Sequence, residues 1–197
     1  MNEGWASFWH YTLLHSMYEK GLVNDGFMLE FLQSHTAVVY QPPFNSPWYS
    51  GLNPYTLGFS IFTDLRRICE HPTDEDRQWF PDIAGTDWVE TLHFAMANFK
   101  DESFIQQFLS PKVMRDLKLF SIQNDDQENV YRVTAIHDEP GYRILREKLA
   151  RQYNLSYREP NIQVWNVDVR GDRSLTLRHV PVDRVPLGDE TEEVLRH

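Results

Sequence analysis

The first ten residues contain the side chains whose types and spacing could do chemistry. The segment reads Met-Asn-Glu-Gly-Trp-Ala-Ser-Phe-Trp-His, with a carboxylate at Glu3 and an imidazole at His10. At about 100° per residue, Glu3, Ser7 and His10 lie on one side of a helix, and bulky aromatic residues surround that side. A carboxylate and an imidazole on one helix face can act as metal ligands or as an acid–base pair.

The histidine spacing argues against a complete metal site inside this chain. A protein zinc site usually needs about three or four converging ligands. The sequence contains neither His-Glu-x-x-His nor Cys-x-x-Cys, and His10 and His15 diverge by about 140° around a helix. We therefore interpret Glu3 and His10 as half of a site. The alternative is that Glu3 is a buried helix carboxylate paired with an arginine or a histidine.

Other candidate residues have simpler interpretations. A single histidine on a partly apolar helix face, such as His10 or His35, is typical of a hydrogen-bonded core residue as well as of a ligand. The aromatic residues of the first helix, and Trp48 with Tyr49, are typical of core packing as well as of ligand platforms. The lone thiol of Cys69 is expected to pack in the core.

Composition narrows the class of protein. With 197 residues the chain suits one ordinary domain or two small ones. Its 29 acidic and 19 basic residues give a formal charge of −10, which disfavours nucleic acid and anionic membranes as partners. One cysteine allows no intrachain disulfide, and no apolar run approaches the ~20 residues of a membrane span. These features predict a soluble, cytoplasmic protein with protein or small-molecule partners and no membrane contact.

The two ends of the chain indicate a piece of a longer protein. The first residues already lie inside an amphipathic pattern, and residues 194–197 read as the middle of a helix. The alternative interpretation is an abrupt natural start at Met1.

Helical patterns occupy the first part of the chain, residues 1–117. The predicted helices cover residues 2–20, 25–39, 54–70, about 87–99, 101–109, and a turn or two ending near 117. A proline-rich, aromatic loop over 40–54 is expected to pack on the helices, and residues 71–86 are expected to form polar turns.

Strand patterns begin after residue 117. Strands are predicted over 119–122, 130–136, 162–169 and 175–180, with a helix over about 141–153 and a final helix from about Glu190. The predicted fold class is α+β, a mainly helical N-terminal part followed by a small β-β-α-β-β antiparallel unit. We expect one helix to cover a four-stranded antiparallel sheet. The predicted domains are residues 1–117, as the C-terminal part of a larger helical domain, and residues 118–197.

One short string resembles a known zinc motif. Asn2-Glu3-Gly4-Trp5-Ala6-Ser7 is similar to the second zinc motif of gluzincin metallopeptidases, in which the glutamate is the third protein ligand. The two histidines of that family come from a His-Glu-x-x-His helix earlier in the chain. The resemblance implies zinc in the full-length protein, with Glu3 as a ligand and His10 as an auxiliary ligand or as a residue that supports one.

The chain as a whole resembles the SpoVR family, named for stage V sporulation protein R. The segments that carry the resemblance are the first ten residues, His35 before the proline-rich loop, Asn53–Gly58, Phe62–Leu65 and Asp101–Leu109. Family members are considerably longer, so the resemblance implies a C-terminal portion whose N-terminal counterpart contains further histidines.

The family resemblance also implies a biological setting. It implies a bacterial, cytoplasmic protein linked to spore cortex formation or to stress, with a PrkA-type serine kinase and a protein with a von Willebrand-like domain as partners. One hypothesis is a regulatory or scaffold protein of undefined biochemical activity. The alternative is a gluzincin-like zinc peptidase or amidase whose histidine ligands lie outside this chain. Neither hypothesis assigns a catalytic residue.

Overall fold

A computed structural model of the protein describes residues 1–125, 130–154, 161–181 and 187. The helices are α1 (Asn2–Glu19), α2 (Asp25–Val38), α3 (Pro54–Glu70), α4 (Asp74–Trp79), α5 (Trp88–Asn98), α6 (Asp101–Phe108), α7 (Pro111–Asp116) and α8 (Glu139–Gln152). The strands are β1 (Ser121–Asp125), β2 (Val130–Ala135), β3 (Ile162–Val167) and β4 (Leu175–His179). This order confirms the predicted α+β class, a mainly helical part followed by a β-β-α-β-β unit.

Side-chain caps start the helices where the sequence predicts. The Asn24 side chain accepts a hydrogen bond from the Phe27 backbone N–H at 2.9 Å, which begins α2. Asn53 does the same for the Tyr55 N–H at 2.9 Å, and Pro54 occupies the first turn of α3. Each cap satisfies a backbone donor that a helix start would otherwise leave unpaired.

Helix α3 lies at the centre of the hydrophobic core. Its buried apolar residues recur at helical spacing on one face, and the largest of them are Leu57, Ile61, Phe62, Leu65 and Ile68. This face packs against α1, α5 and α7. Burying each such side chain stabilises the folded state by about 1.5–3 kcal/mol. Because α3 supplies several of them and contacts three other helices, the core is organised around α3.

Helix α4 lies in a segment for which the sequence predicted only polar turns. It spans six residues, too few to show a helical period. A capping box stabilises it: the Thr73 side chain accepts from the Asp76 N–H, and the Asp76 carboxylate accepts from the Thr73 N–H at 2.8 Å. Local side-chain hydrogen bonds, and not hydrophobic periodicity, therefore form this helix.

The expected four-stranded sheet is wrong within the described residues. Among the strands that the structure describes, β1 pairs with β2 and β3 pairs with β4, in two antiparallel sheets. Helix α8 packs on β2 and α6. Short connections specify pairing within a hairpin, whereas pairing between hairpins depends on edge contacts that alternating hydrophobicity does not encode.

Two sequence-based expectations remain predictions. The final helix from Glu190 lies outside the described residues. The division at residue 117 is also untested, although one core cluster contains Phe62 and Phe104 from the first part and Tyr142 and Leu145 from the second. None of the described helices has the length and apolar character that a membrane crossing requires.

Candidate functional site

Two glycines bring the backbones of α1 and α3 into direct contact. A Cβ atom built on Gly4 would lie 2.3 Å from the backbone Cα and C atoms of Gly58, and one built on Gly58 would lie 2.7 Å from the Gly4 Cα. Any side chain at either position would therefore push the helices apart. This contact brings the first turn of α1, with Glu3, close to the first turn of α3.

The helix contact places Glu3 beside Tyr55 of α3. Glu3 is exposed, and its carboxylate raises the pKa of the Tyr55 phenol, chiefly by accepting a hydrogen bond from it. Within the described residues Glu3 forms no ion pair. The alternative interpretation of Glu3 as a buried carboxylate with a cationic partner is therefore wrong. The structure leaves Glu3 available to a further group.

Ser7 does not join the candidate site. Its hydroxyl donates to the Glu3 backbone carbonyl at 2.9 Å, and the residue is 9% exposed. The hydroxyl thus bonds within its own helix, a common use of serine in a helix interior.

His10 is exposed on α1 and packs against α2. Its ring makes an edge contact with Phe31, with centroids 4.9 Å apart. Glu3, two helical turns away at about 10 Å along the axis, has Tyr55 of α3 as its neighbour instead. The described residues contain no group of three or more His, Cys, Asp or Glu side chains that could hold a metal ion. Glu3 and His10 as metal ligands therefore stay a prediction that needs ligands from outside these residues.

His35 is buried among aromatic rings between α1, α2 and α3. Its ring lies 5.2 Å from Tyr11 and 4.9 Å from Phe59, centroid to centroid. Burial lowers the pKa of His35, and the charge of nearby His10 lowers it further. The ring atom Nε2 is buried without a hydrogen-bond partner in the described residues. The structure confirms a core position but not the expected hydrogen bond at this nitrogen.

Trp5, Phe8 and Trp9 of α1 pack in or against the core, as one of the two interpretations predicts. The Trp5 ring makes edge contacts with Trp9, Phe62 and His93, with centroids 5.4–5.5 Å apart. Such edge contacts add about 0.5–1.5 kcal/mol beyond burial. Cys69 is likewise buried, as expected, with its Sγ 3.6 Å from the Thr86 hydroxyl.

The aromatic loop, residues 40–53, is anchored at its base by side-chain hydrogen bonds. The Gln41 amide donates to the Gly51 carbonyl at 3.2 Å and accepts from the Asn53 N–H at 2.7 Å. The Asn53 amide donates to the Val38 carbonyl at 2.9 Å. These hydrogen bonds tie the two ends of the loop together.

The tip of the aromatic loop is only partly packed, in contrast to the expectation. Phe44 makes edge contacts with Tyr49 and Phe120, at centroid distances of 5.2 and 5.0 Å. Trp48 is 81% exposed, more than any other large hydrophobic residue of the described chain. A large ring on an anchored loop is therefore presented to solvent.

A charged cluster that the sequence analysis missed joins α3, α4 and α7. Arg67 donates to Asp64 at 2.7 Å and to both carboxylate oxygens of Asp76 at 2.6 and 2.7 Å. Ser110 donates to Asp64 at 2.6 Å. Every carboxylate of the cluster has hydrogen-bonded partners, so we interpret it as structural. Asp64 and Arg67 are neighbours on α3, but Asp76 and Ser110 belong to other segments, so no pattern within one helix could have revealed the whole cluster.

Known proteins resemble this chain along its whole length. The family model described as "SpoVR like protein" matches residues 1–158, and the one described as "SpoVR-like C-terminal domain" matches residues 160–197. The Escherichia coli (strain K12) protein named "Uncharacterized protein YcgB" is 65% identical over all 197 residues, which span 39% of that relative. No solved structure matches. The two family matches and this identity establish that the chain belongs to the SpoVR family.

Proposed function

We propose that the chain is part of a regulatory or scaffold protein that works by binding other proteins. The observation that carries the proposal is the aromatic loop, which holds Trp48 in solvent on a hydrogen-bonded base. Tryptophan is enriched among the residues that carry most of the binding energy in protein interfaces. Because the loop base is already ordered, binding would cost little conformational entropy.

The proposed partners are a PrkA-type serine kinase and a protein with a von Willebrand-like domain, in a cytoplasmic sporulation or stress pathway. The family context suggests both, and the formal charge of −10 favours protein partners over nucleic acid.

Pull-down of the two partners by the full-length protein tests the proposal. Trp48→Ala should weaken binding about tenfold or more, the usual effect of losing an anchor residue. Trp165→Ala is the matched control, since Trp165 is a second tryptophan with 63% exposure on a different element. Absence of any association in growing and starved cells, or equal losses for the two variants, would contradict the proposal.

A second candidate function is a zinc-dependent hydrolase whose other ligands lie outside this chain. The specific observation in its favour is the exposed Glu3 carboxylate, which has a phenol neighbour and no cation within the described residues. A carboxylate without a counter-ion suits a zinc ligand. Glu3 would hold the ion, and zinc would activate water for hydrolysis.

Zinc content of the purified full-length protein tests this second candidate. Glu3→Gln should lower the bound zinc about tenfold or more, because an amide is a far weaker ligand than a carboxylate. Glu30→Gln, at an exposed glutamate of α2, should retain the zinc of the wild type. Near-zero zinc in both the wild type and Glu3→Gln would exclude the candidate.

A further inference from the structure

We propose that one side of α1 is the docking surface for the part of the SpoVR polypeptide that this chain does not contain. The surface, here called the α1 outer face, consists of Glu3, Ala6, His10, Leu13 and Met17. All five residues are exposed, Leu13 to 55% and Met17 to 39%. Successive residues of a helix are rotated by about 100° around its axis, so these five side chains fall within a sector of about 80°. They therefore form one continuous strip along the helix.

The other sides of α1 are already covered. Gly4 and Phe8 face the backbone and core of α3, Trp9 packs on Trp88 of α5, and Tyr11 packs on His35 of α2. In the described chain α1 is open to solvent along the outer face and at its two ends, where Asn2, Tyr18 and Glu19 are exposed.

The composition of α1 is not that of a helix with a solvent-exposed side. Glu3 and Glu19, near its two ends, are the only Asp, Glu, Lys or Arg residues among its 18 positions. A helix at a protein surface normally has a charged stripe opposite its apolar one, whereas a helix that is apolar all round is buried. Helix α1 therefore lacks the charged stripe that a surface helix normally has.

Helix α2 extends the apolar area beyond α1. Phe27 is 45% exposed and lies one turn before Phe31, the residue that contacts His10. Exposed apolar residues on two neighbouring helices match a packed helix or helix pair better than a small ligand.

The length of the family protein indicates the occupant. The matched residues account for 39% of the E. coli relative, so most of that polypeptide lies outside the match. A tethered segment needs little buried area to stay docked, because its effective concentration is about millimolar. A second copy would need roughly 800 Å² per partner, more than a five-residue strip supplies. This inference does not rest on either proposed function.

Peptide-resolved maleimide labelling tests the proposal. Leu13→Cys is made in the 197-residue chain and at the aligned position of the full-length E. coli relative, and the control is Gln107→Cys, at an exposed position of α6. Position 13 should react about tenfold or more slowly in the full-length protein than in the short chain, as expected for a buried site. Position 107 should react at similar rates in both.

Two results would overturn the proposal. Equal rates at position 13 in the two proteins would mean that the outer face stays open in the whole polypeptide. Protection that appears in the short chain and grows with its concentration would assign the face to a second copy. Leu13→Asp gives an independent readout: it should lower the Tm of the full-length protein by several degrees and leave that of the short chain unchanged.

Discussion

At the scale of single residues, Gly4 and Gly58 decide the position of Glu3. Both lie in helices, where glycine costs about 1 kcal/mol relative to alanine. The structure explains their presence, because each Cα sits against the backbone of the other helix. The close approach brings Glu3 to Tyr55 and gives the carboxylate its phenol neighbour. Glycine is required at these two positions because the helices cross closely, and not because the backbone turns.

We expect Gly58→Ala to destabilise the chain by about 1–3 kcal/mol, the usual cost of overpacking a tight contact. The new Cβ would lie 2.7 Å from the Gly4 Cα and 3.0 Å from its N, and both atoms belong to backbone that cannot rotate away. Urea unfolding measures the change. The control is Gly26→Ala in α2, where the nearest atom is the Asn24 side-chain oxygen at 3.4 Å. Equal stabilities of the two variants would contradict the helix contact.

At the scale of elements, Asp76 links α4 to α3. It accepts hydrogen bonds from Thr73 at the start of α4 and from the guanidinium of Arg67 in α3. Burial raises the pKa of Asp76, but these hydrogen bonds outweigh burial and lower the pKa to about 2. The ionised form therefore stabilises the folded state.

The Asp76 carboxylate should make the stability of the chain fall in acid. Because its folded pKa is about 2 and an unfolded aspartate titrates near pH 3.9, its contribution is complete above that value and disappears as the pH falls towards 2. The expected loss is about 2 kcal/mol. The measurement is the urea midpoint from pH 7 to pH 2.

Asp76→Asn should be less stable at pH 7 by a similar amount and should lose this part of the acid dependence. Asp82→Asn, at an exposed aspartate in the loop after α4, is the control and should keep the wild-type profile. A wild-type midpoint that stays constant between pH 4 and pH 2 would show that Asp76 does not have the depressed pKa.

The hairpin of β3 and β4 shows how a bulge changes the faces of a sheet. Its register shifts between Val164 and Asn166, so Trp165 is an extra residue without a cross-strand partner. On one face Val164 then pairs with Leu177, and Val167 pairs with Leu175. The alternation of apolar and polar residues predicted both strands. It could not predict the bulge, which places Val164 and Val167, three positions apart, on the same face of the hairpin.

At the scale of the whole molecule, contacts between distant residues join the two parts of the chain. Ser110 caps α7 by accepting from the Val113 N–H at 3.0 Å and donates to Asp64 of α3 at 2.6 Å. Arg115 of α7 donates to the Tyr142 hydroxyl of α8 at 3.0 Å. The bond between Arg115 and Tyr142 connects the helical part to α8, and one hydrophobic core contains residues of both parts.

The sequence by itself determined the family, the α+β class and most element bounds. Hydrophobic period and capping residues such as Asn24 and Asn53 act over a few positions, and such local signals can be read directly. It also located Glu3 and His10 on one helix as candidate ligands.

The tertiary structure alone decided what those residues face. Glu3 lies beside Tyr55, and the His10 ring contacts Phe31. The described strands form two hairpins instead of one sheet. The hydrogen bond from Ser110 to Asp64 and the helix crossing of Gly4 with Gly58 join residues more than forty positions apart. Contacts of that kind depend on how helices pack in three dimensions, and no local pattern in the chain specifies them.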